Sequence, residues 1–253
     1  MALPMDRAPT GTVKSMKALV RRTTATYDGV IGDADARNLL LCTSPTEAVY
    51  SYPAVLPANM QSYPYDGVHI AQVGYLRCGK PSGGCGDAPT VPNDGTIHFV
   101  YTPIDNCDGC FTSVDSWYGG PPVVGHRYRF KITNHLQPNQ WIYCIRDVTA
   151  GTSEKCTSKT ATFTQGGEVW FGTEVHNTNA GLGPNDPARI HMYWMQYSKV
   201  NDPSWLVTTN NAMLTNGGPL PSKYWCWIYN QNYTGDAMES VSIAGVKSCP
   251  GSP

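Results

Sequence analysis

Two glutamates set in a run of large apolar residues are the first candidates for chemistry in this 253-residue chain. In "GGEVWFGTEVHN", a β-strand would place Glu168, Trp170 and Glu174 on one face. The other face, with Val169 and Phe171, is apolar, and we expect it to pack in the interior. A carboxylate beside a tryptophan is partly desolvated, which raises its pKa and suits it to general acid or base catalysis. The alternative is a solvent-facing strand that merely carries two glutamates.

A glutamine about a hundred residues upstream is the second candidate. In "VHIAQVGYLRC", alternation places Gln72 on the same face as Val68, Ile70 and Gly74. A glutamine amide can donate two hydrogen bonds to a developing oxyanion, and a glutamate on a neighbouring strand can activate water. Such a pair would hydrolyse a substrate without a metal or a serine. The alternative is a side chain that satisfies the edge of a strand.

Other chemistries find little support in the sequence. The six histidines show no H-x-x-x-H or H-x-H spacing, so we expect no metal site and no cofactor. Signatures of serine hydrolases, P-loops and dinucleotide-binding folds are absent. Glu168 and Glu174 are not a glycosidase pair, because six residues of strand span about 20 Å, whereas glycosidase carboxylates lie about 5–9.5 Å apart.

Short strands must position these residues. Charged residues are 15% of the chain, below the usual ~25%, while Gly (25), Pro (20) and Tyr (15) are abundant. Many segments alternate apolar and polar residues, as "HRYRFKI" does, and only "DADARNLL" and Lys14–Val20 look helical. We therefore predict an all-β, antiparallel sandwich or barrel. Residues 1–28 are predicted to be an N-terminal arm or the remnant of a pro-segment, and residues 29–253 a single β-sandwich domain.

Nine cysteines in a charge-poor chain favour an oxidising compartment. Cys144 and Cys156 flank a predicted hairpin with a Thr-Ala-Gly-Thr turn, and we expect a disulfide between its two strands. Proximity in sequence also suggests three further pairs and leaves Cys42 over: Cys78–Cys85, Cys107–Cys110 and Cys226–Cys249. "MALPMDRAPTGTVK" has no apolar core of a signal peptide, so we expect that the leader of an exported protein was removed or replaced. A net charge of -1 predicts neither a nucleic-acid nor a membrane partner.

Four stretches resemble the glutamic endopeptidases of the eqolisin type and, more distantly, the neprosin-type glutamic peptidases. They are "IAQVGYLRC", "VDSWYGG", "VGHRYRFKITNH" with the hairpin that follows it, and "GGEVWFGTEVHN", and together they cover roughly residues 68–179. The resemblance implies a concanavalin-like jelly roll of two antiparallel sheets and activity at acid pH. It also implies that Gln72 and Glu174 are catalytic and that Glu168 is a neighbour. Trp117 and Trp170 would be candidates for the wall of the substrate cleft.

The leading hypothesis is therefore a secreted, monomeric acid endopeptidase that acts on a polypeptide substrate. Glu174 would deprotonate water, and Gln72 would stabilise the oxyanion. The alternative is a carbohydrate-binding or adhesive β-sandwich module without catalytic activity. Several aromatic residues could stack on sugar rings: Tyr193, Trp194, Tyr224, Trp225, Trp227 and Tyr229.

Overall fold

The chain folds into β-strands with one short helix. The computed structural model describes residues 14–37, 48–57, 71–78, 90–92, 94–101, 112–134, 140–160, 165–176, 190–207, 213–217, 226–230 and 237–241. In these ranges the elements are β1 (Lys14–Asp35), β2 (Ala48–Pro57), β3 (Ala71–Cys78), β4 (Ile97–Tyr101), β5 (Thr112–Ser113), α1 (Asp115–Tyr118), β6 (Arg127–Thr133), β7 (Gln140–Asp147), β8 (Lys155–Thr160), β9 (Gly166–His176), β10 (Ile190–Lys199), β11 (Asp202–Val207), β12 (Met213–Gly217), β13 (Cys226–Asn230) and β14 (Ala237–Val241).

Strand β1 belongs to two sheets. Its N-terminal half pairs with β9 and β12, and its C-terminal half pairs with β6 and β10. Sheet 1 has the order β5-β4-β3-β2-β9-β1-β12, and sheet 2 has the order β8-β7-β6-β1-β10-β14-β13, with β11 also paired to β10. The pairings between these strands are antiparallel. The predicted all-β sandwich of two antiparallel sheets is confirmed.

Aromatic side chains from both sheets meet in the core. Phe99 of sheet 1 lies edge-on to Tyr128 of sheet 2, with ring centroids 4.9 Å apart, and Tyr75 lies 6.4 Å from Phe130. In β6 the buried residues alternate with arginine and lysine, as the sequence predicts. Period-two alternation therefore decides which face of each sheet is covered by the other sheet.

The N-terminal prediction needs correction. Residues 14–28 lie in β1 rather than in an arm, and Lys14–Val20 is strand rather than helix. Hydrogen-bonded partners on both edges of this segment outweigh its local propensity. The "DADARNLL" segment was also expected to be helical, but it begins as the end of β1. There Asp33 is 1% exposed and accepts two hydrogen bonds from Arg129, at 2.6 and 3.0 Å.

The predicted hairpin disulfide is confirmed. Cys144 and Cys156 are register partners in β7 and β8 and form a disulfide. Cys78 is also disulfide-bonded. Cys226 of the predicted pairs lies in β13. The other five cysteines lie outside the described residues: Cys42, Cys85, Cys107, Cys110 and Cys249.

None of the helices in the described ranges has the length and apolar character needed to cross a membrane.

Gly29 lies where β1 enters sheet 2, and its lack of a side chain is required there. A Cβ at this position would lie 2.5 Å from Ser198 Oγ and 2.7 Å from the ring of Trp205. Ser198 cannot easily retreat, because it is fully buried and its hydroxyl donates to Asp28 Oδ1 at 2.7 Å.

We therefore expect Gly29→Ala to lower the free energy of unfolding by about 1–3 kcal/mol, the usual cost of overpacking. Urea denaturation of the variant and the parent would measure this. Val124→Ala is the control. Because Val124 is 54% exposed and its neighbour Val123 is 52% exposed, this variant should leave the midpoint unchanged. An unchanged midpoint for Gly29→Ala would contradict the close packing described here.

Candidate active site

Gln72 lies on the face of sheet 1 that points away from the sandwich core. Its neighbours Ala71 and Val73, with Tyr75, belong to the core cluster, so alternation places Gln72 on the opposite face. Gln72 is nevertheless only 4% exposed. A buried amide is costly unless its polar atoms are bonded, and Gln72 does have interaction partners. It is therefore held in a defined environment, as an oxyanion donor would need to be.

Strand β9 places its candidates on the same face. Val169 and Phe171 are fully buried in the core, which confirms the predicted apolar face. Positions 168, 170 and 174 alternate with these two core positions along β9, which is the spacing of the opposite face of a strand. Strand β2 separates β3 from β9, and its Ala54 is the register partner of both Gln72 and Trp170.

The register separates the two glutamates by their distance from Gln72. Glu168 is two residues from the Gln72–Trp170 row, and Glu174 is four residues from it on the other side. With about 4.8 Å between strands and about 3.3 Å per residue, the Cα of Gln72 lies about 12 Å from that of Glu168 and about 16 Å from that of Glu174. The structure therefore brings all three candidates to one face, with Glu168 nearer to Gln72.

Small residues lie between these positions. Gly172 lies between Trp170 and Glu174 on the same face of β9, opposite Ala18 of β1 and Tyr52 of β2. Gly74 follows Gln72 on the same face of β3. Glycine and alanine leave room for a ligand to approach the backbone. At the described positions of β3 on this face, Gln72 and Leu76 are nevertheless only 4% and 0% exposed, so the face is covered there.

Trp117 lies in α1, beyond the edge strand β5. It is partly buried and packs against the core cluster, with its ring 6.5 Å from that of Tyr118. The ring of its neighbour Tyr118 is tilted against that of Phe99 of β4, with centroids 4.6 Å apart. The structure thus gives Trp117 a packing role at the edge of the sandwich, and its part in a substrate cleft stays a prediction.

A buried histidine between two aspartates was missed by the sequence reasoning, which treated the histidines as scattered. His98 of β4 lies 2.5 Å from Asp115 Oδ2 through Nδ1 and 2.9 Å from Asp94 Oδ1 through Nε2. His98 is 3% exposed and alternates with core residue Phe99, so it lies on the same face of sheet 1 as Gln72. The signal in the sequence was "DGTIH", in which Asp94, Thr96 and His98 recur at every second residue, with Asp94 and Thr96 in the bend before β4.

Two carboxylates on one imidazole favour its protonated form, since both ring nitrogens then donate. Burial alone would lower the pKa of His98, but the bonds to Asp115 and Asp94 outweigh burial and raise it. Burial would raise the pKa of Asp94, but hydrogen bonds from Thr96 and His98 bring it down to about 2. Asp94, His98 and Asp115 therefore form a charged group that we call the Asp–His–Asp cluster.

The Asp–His–Asp cluster fastens α1 to sheet 1. Besides the bond to His98, Asp115 accepts a hydrogen bond from the backbone N–H of Phe99 at 2.8 Å. The backbone N–H of Val114 donates to the carbonyl of Phe99 at 2.9 Å. The helix that carries Trp117 is therefore tied to β4 by one carboxylate and one backbone bond.

Metal-ligating residues come together at one place among the described residues, but they do not form a metal site. Cys144, Glu154 and Cys156 lie close together on the β7–β8 hairpin. The two cysteines are joined in a disulfide, so their sulfurs are not thiolate ligands. Glu154 alone would not hold an ion.

Comparisons with known proteins give a relationship at the level of the fold. No family model matches the sequence, and no curated protein matches it. Among solved structures, the chain is similar to Scytalido-glutamic peptidase, solved with a peptide-based transition-state analogue. The TM-score is 0.51 at 10% sequence identity, and the match covers 92% of this chain and 99% of that one. At this identity the likeness shows a shared all-β sandwich fold.

The raised pKa of His98 predicts how stability depends on pH. A group whose pKa is higher in the folded state stabilises below its unfolded pKa, and this contribution is lost as pH rises through the folded pKa. Stability should therefore fall as pH rises above the ordinary histidine value of 6.5. His98→Gln should lower stability at acid pH and flatten this fall. Thermal unfolding of both proteins between about pH 5 and pH 9 would measure it.

The lowered pKa of Asp94 predicts how stability changes at acid pH. Its lowered pKa means that its contribution is present above the ordinary aspartate value of 3.8 and is lost as pH falls toward about 2. Asp94→Asn should reduce that acid loss and leave the bond between His98 and Asp115 in place. If the parent and His98→Gln lose stability equally as pH rises, the Asp–His–Asp cluster does not carry this dependence.

Proposed function

We propose that the protein is an acid endopeptidase that hydrolyses polypeptides with Gln72 and a glutamate of β9. One observation supports the proposal: in the register of β3, β2 and β9, Gln72 and Trp170 share a row, and the positions of Glu168 and Glu174 follow on either side of it. The shared fold with a glutamic peptidase agrees with it. The pair needs no metal or cofactor, because a carboxylate can activate water and an amide can stabilise an oxyanion.

In this proposal the glutamate first takes a proton from water, which attacks the peptide carbonyl. The N–H groups of Gln72 stabilise the negative charge on the carbonyl oxygen. The same glutamate, now protonated, then gives its proton to the leaving amine, and the carbon–nitrogen bond breaks. An extended substrate would cross the small residues Ala54, Gly74 and Gly172, and Trp170 would lie beside it.

The two glutamates are not equivalent candidates. The eqolisin resemblance assigns the role to Glu174, whereas the register places Glu168 nearer to Gln72. At about 12 Å between Cα atoms Glu168 is the nearer candidate partner of Gln72, and at about 16 Å Glu174 is the more distant one.

The proposal includes secretion and action as a monomer. The disulfide Cys144–Cys156 supports an oxidising compartment. Trp117 is kept as a candidate for substrate binding, although its contacts in the structure are with the core.

Cleavage of a denatured protein at about pH 3–5 tests the proposal, with fragments identified by mass spectrometry. We expect Gln72→Ala to slow cleavage by about 100-fold or more, as loss of an oxyanion donor does in other hydrolases. Glu168→Gln and Glu174→Gln should differ, and the variant of the general base should lose nearly all activity. Glu154→Gln, which changes a glutamate on the β7–β8 hairpin, is the matched control and should cleave at the parent rate.

The outcomes separate the assignments. Loss of activity in Glu168→Gln alone would support the partner that the register favours, and loss in Glu174→Gln alone would support the partner that the resemblance implies. Circular dichroism of each variant guards against loss of fold. If the folded parent cleaves nothing, or if Gln72→Ala cleaves as fast as the parent, the proposed function is wrong.

A further inference from the structure

Trp194 is displayed on the surface by an irregularity in β10. Ile31 of β1 pairs with Gln196, and Asp33 pairs with Tyr193, so two residues of β10 lie opposite one residue of β1. This is the geometry of a β-bulge, in which one extra residue leaves the regular ladder. Met192 and Met195 flank the bulge and are both fully buried in the core. The residue turned outward between them is Trp194, which is 41% exposed.

The backbone at Trp194 is strained. Its φ is 52°, in the left-handed region that glycine adopts freely and bulky residues rarely adopt. Its large aromatic side chain is exposed. A bulge position that favours glycine is therefore occupied by a tryptophan whose ring faces solvent. Strain of this kind is typical of functional sites.

Tyr193, the residue before Trp194, belongs to an ordered polar group. Asp35 accepts hydrogen bonds from Arg127 Nε at 3.1 Å and from the Tyr193 hydroxyl at 3.1 Å. A second arginine, Arg37, lies 3.5 Å from the same carboxylate. The Arg127 Cζ atom lies over the Tyr193 ring, 3.8 Å from its centroid. These groups come from β1, β6, β10 and the residues just after β1, so neighbouring strands hold them in place.

Part of the Arg127 guanidinium is available to a ligand. Its side chain is 36% exposed, and its recorded bond to Asp35 uses Nε. The terminal N–H groups have no bond within the described part of the chain, so they can donate to oxygen atoms brought to the surface. Asp35 is only 11% exposed and keeps the guanidinium in one orientation.

We propose that Trp194, Arg127, Tyr193 and Asp35 form a sugar-binding platform that holds a hexose unit of a polysaccharide. The C–H face of the sugar ring stacks on the indole of Trp194, because an aromatic ring offers a flat apolar surface. Hydroxyl or carboxylate oxygens of the sugar accept hydrogen bonds from Arg127. A few fixed polar groups beside one aromatic surface are the usual composition of a small-ligand site.

The sugar-binding platform is separate from the face proposed for catalysis. It lies on sheet 2, on the side away from the core, whereas Gln72 lies on sheet 1, on its own side away from the core. Binding of polysaccharide therefore does not depend on the peptidase activity proposed above. The two can be tested separately in the same protein.

Affinity electrophoresis tests the platform directly. The protein is run in native gels that contain hydroxyethylcellulose, galactomannan or polygalacturonate, and its retardation gives a dissociation constant. We expect retardation of the parent by at least one of these polymers, and about tenfold or weaker binding for Trp194→Gly. Retardation by a neutral polymer would show that Arg127 donates to hydroxyl groups. Retardation by polygalacturonate would show that Arg127 pairs with a carboxylate.

Trp194→Gly separates binding from stability. Glycine adopts the same backbone conformation without strain, so the variant should melt at the same temperature as the parent or higher while it loses binding. Trp194→Phe, which keeps an aromatic ring, should retain part of the retardation. Val124→Ala removes exposed apolar surface elsewhere and should bind like the parent.

Gln72→Ala should also bind polysaccharide like the parent, whatever its effect on proteolysis. If no gel retards the folded parent, or if Trp194→Gly is retarded as strongly as the parent, the sugar-binding platform does not exist.

Discussion

The strands that carry the candidate functional residues take their positions from β1, which among the described strands is the one with hydrogen-bonded partners in both sheets. Its first half sets the register of β9 and its second half sets that of β6 and β10. The register shift between Arg22 and Tyr27 marks the passage from one sheet to the other. Gly29 follows directly, where the chain enters sheet 2 against buried Ser198. One continuous strand thus couples the two layers.

Charge is distributed unequally over the two outward faces. On sheet 1, three described charges are bonded to one another, with the histidine almost fully buried: Asp94, His98 and Asp115. On sheet 2, cross-strand arginine–aspartate pairs cover the surface, and their partly exposed guanidiniums are held by carboxylates of β1. The chain has few charged residues, but those described on these two faces form ion pairs and hydrogen bonds with one another.

The sequence predicted the strands and their faces better than it predicted the beginning of the chain. Alternation was enough to assign Val169 and Phe171 to the core and Tyr128 and Phe130 to the inner face of β6. The hairpin disulfide followed from turn residues between two cysteines. The role of residues 14–28 could not be read in the same way, because their partners lie more than a hundred residues away. Likewise Asp115 is distant in sequence from His98, and the bulge that turns Trp194 outward depends on its pairing with β1.

The shared strand also decides when the protein can finish folding. The partners of β1 follow it along the chain at residues 127–133, 166–176, 190–199 and 213–217. The first described strand to leave the ribosome is therefore among the last to be completed, and most of its pairings have very large sequence separation. Such topologies fold slowly, because the entropy of closing a long chain segment is lost before the stabilising contacts between its ends form. A nascent chain would carry a long strand with unpaired edges until some two hundred residues have been made, and that is a period of exposure to aggregation.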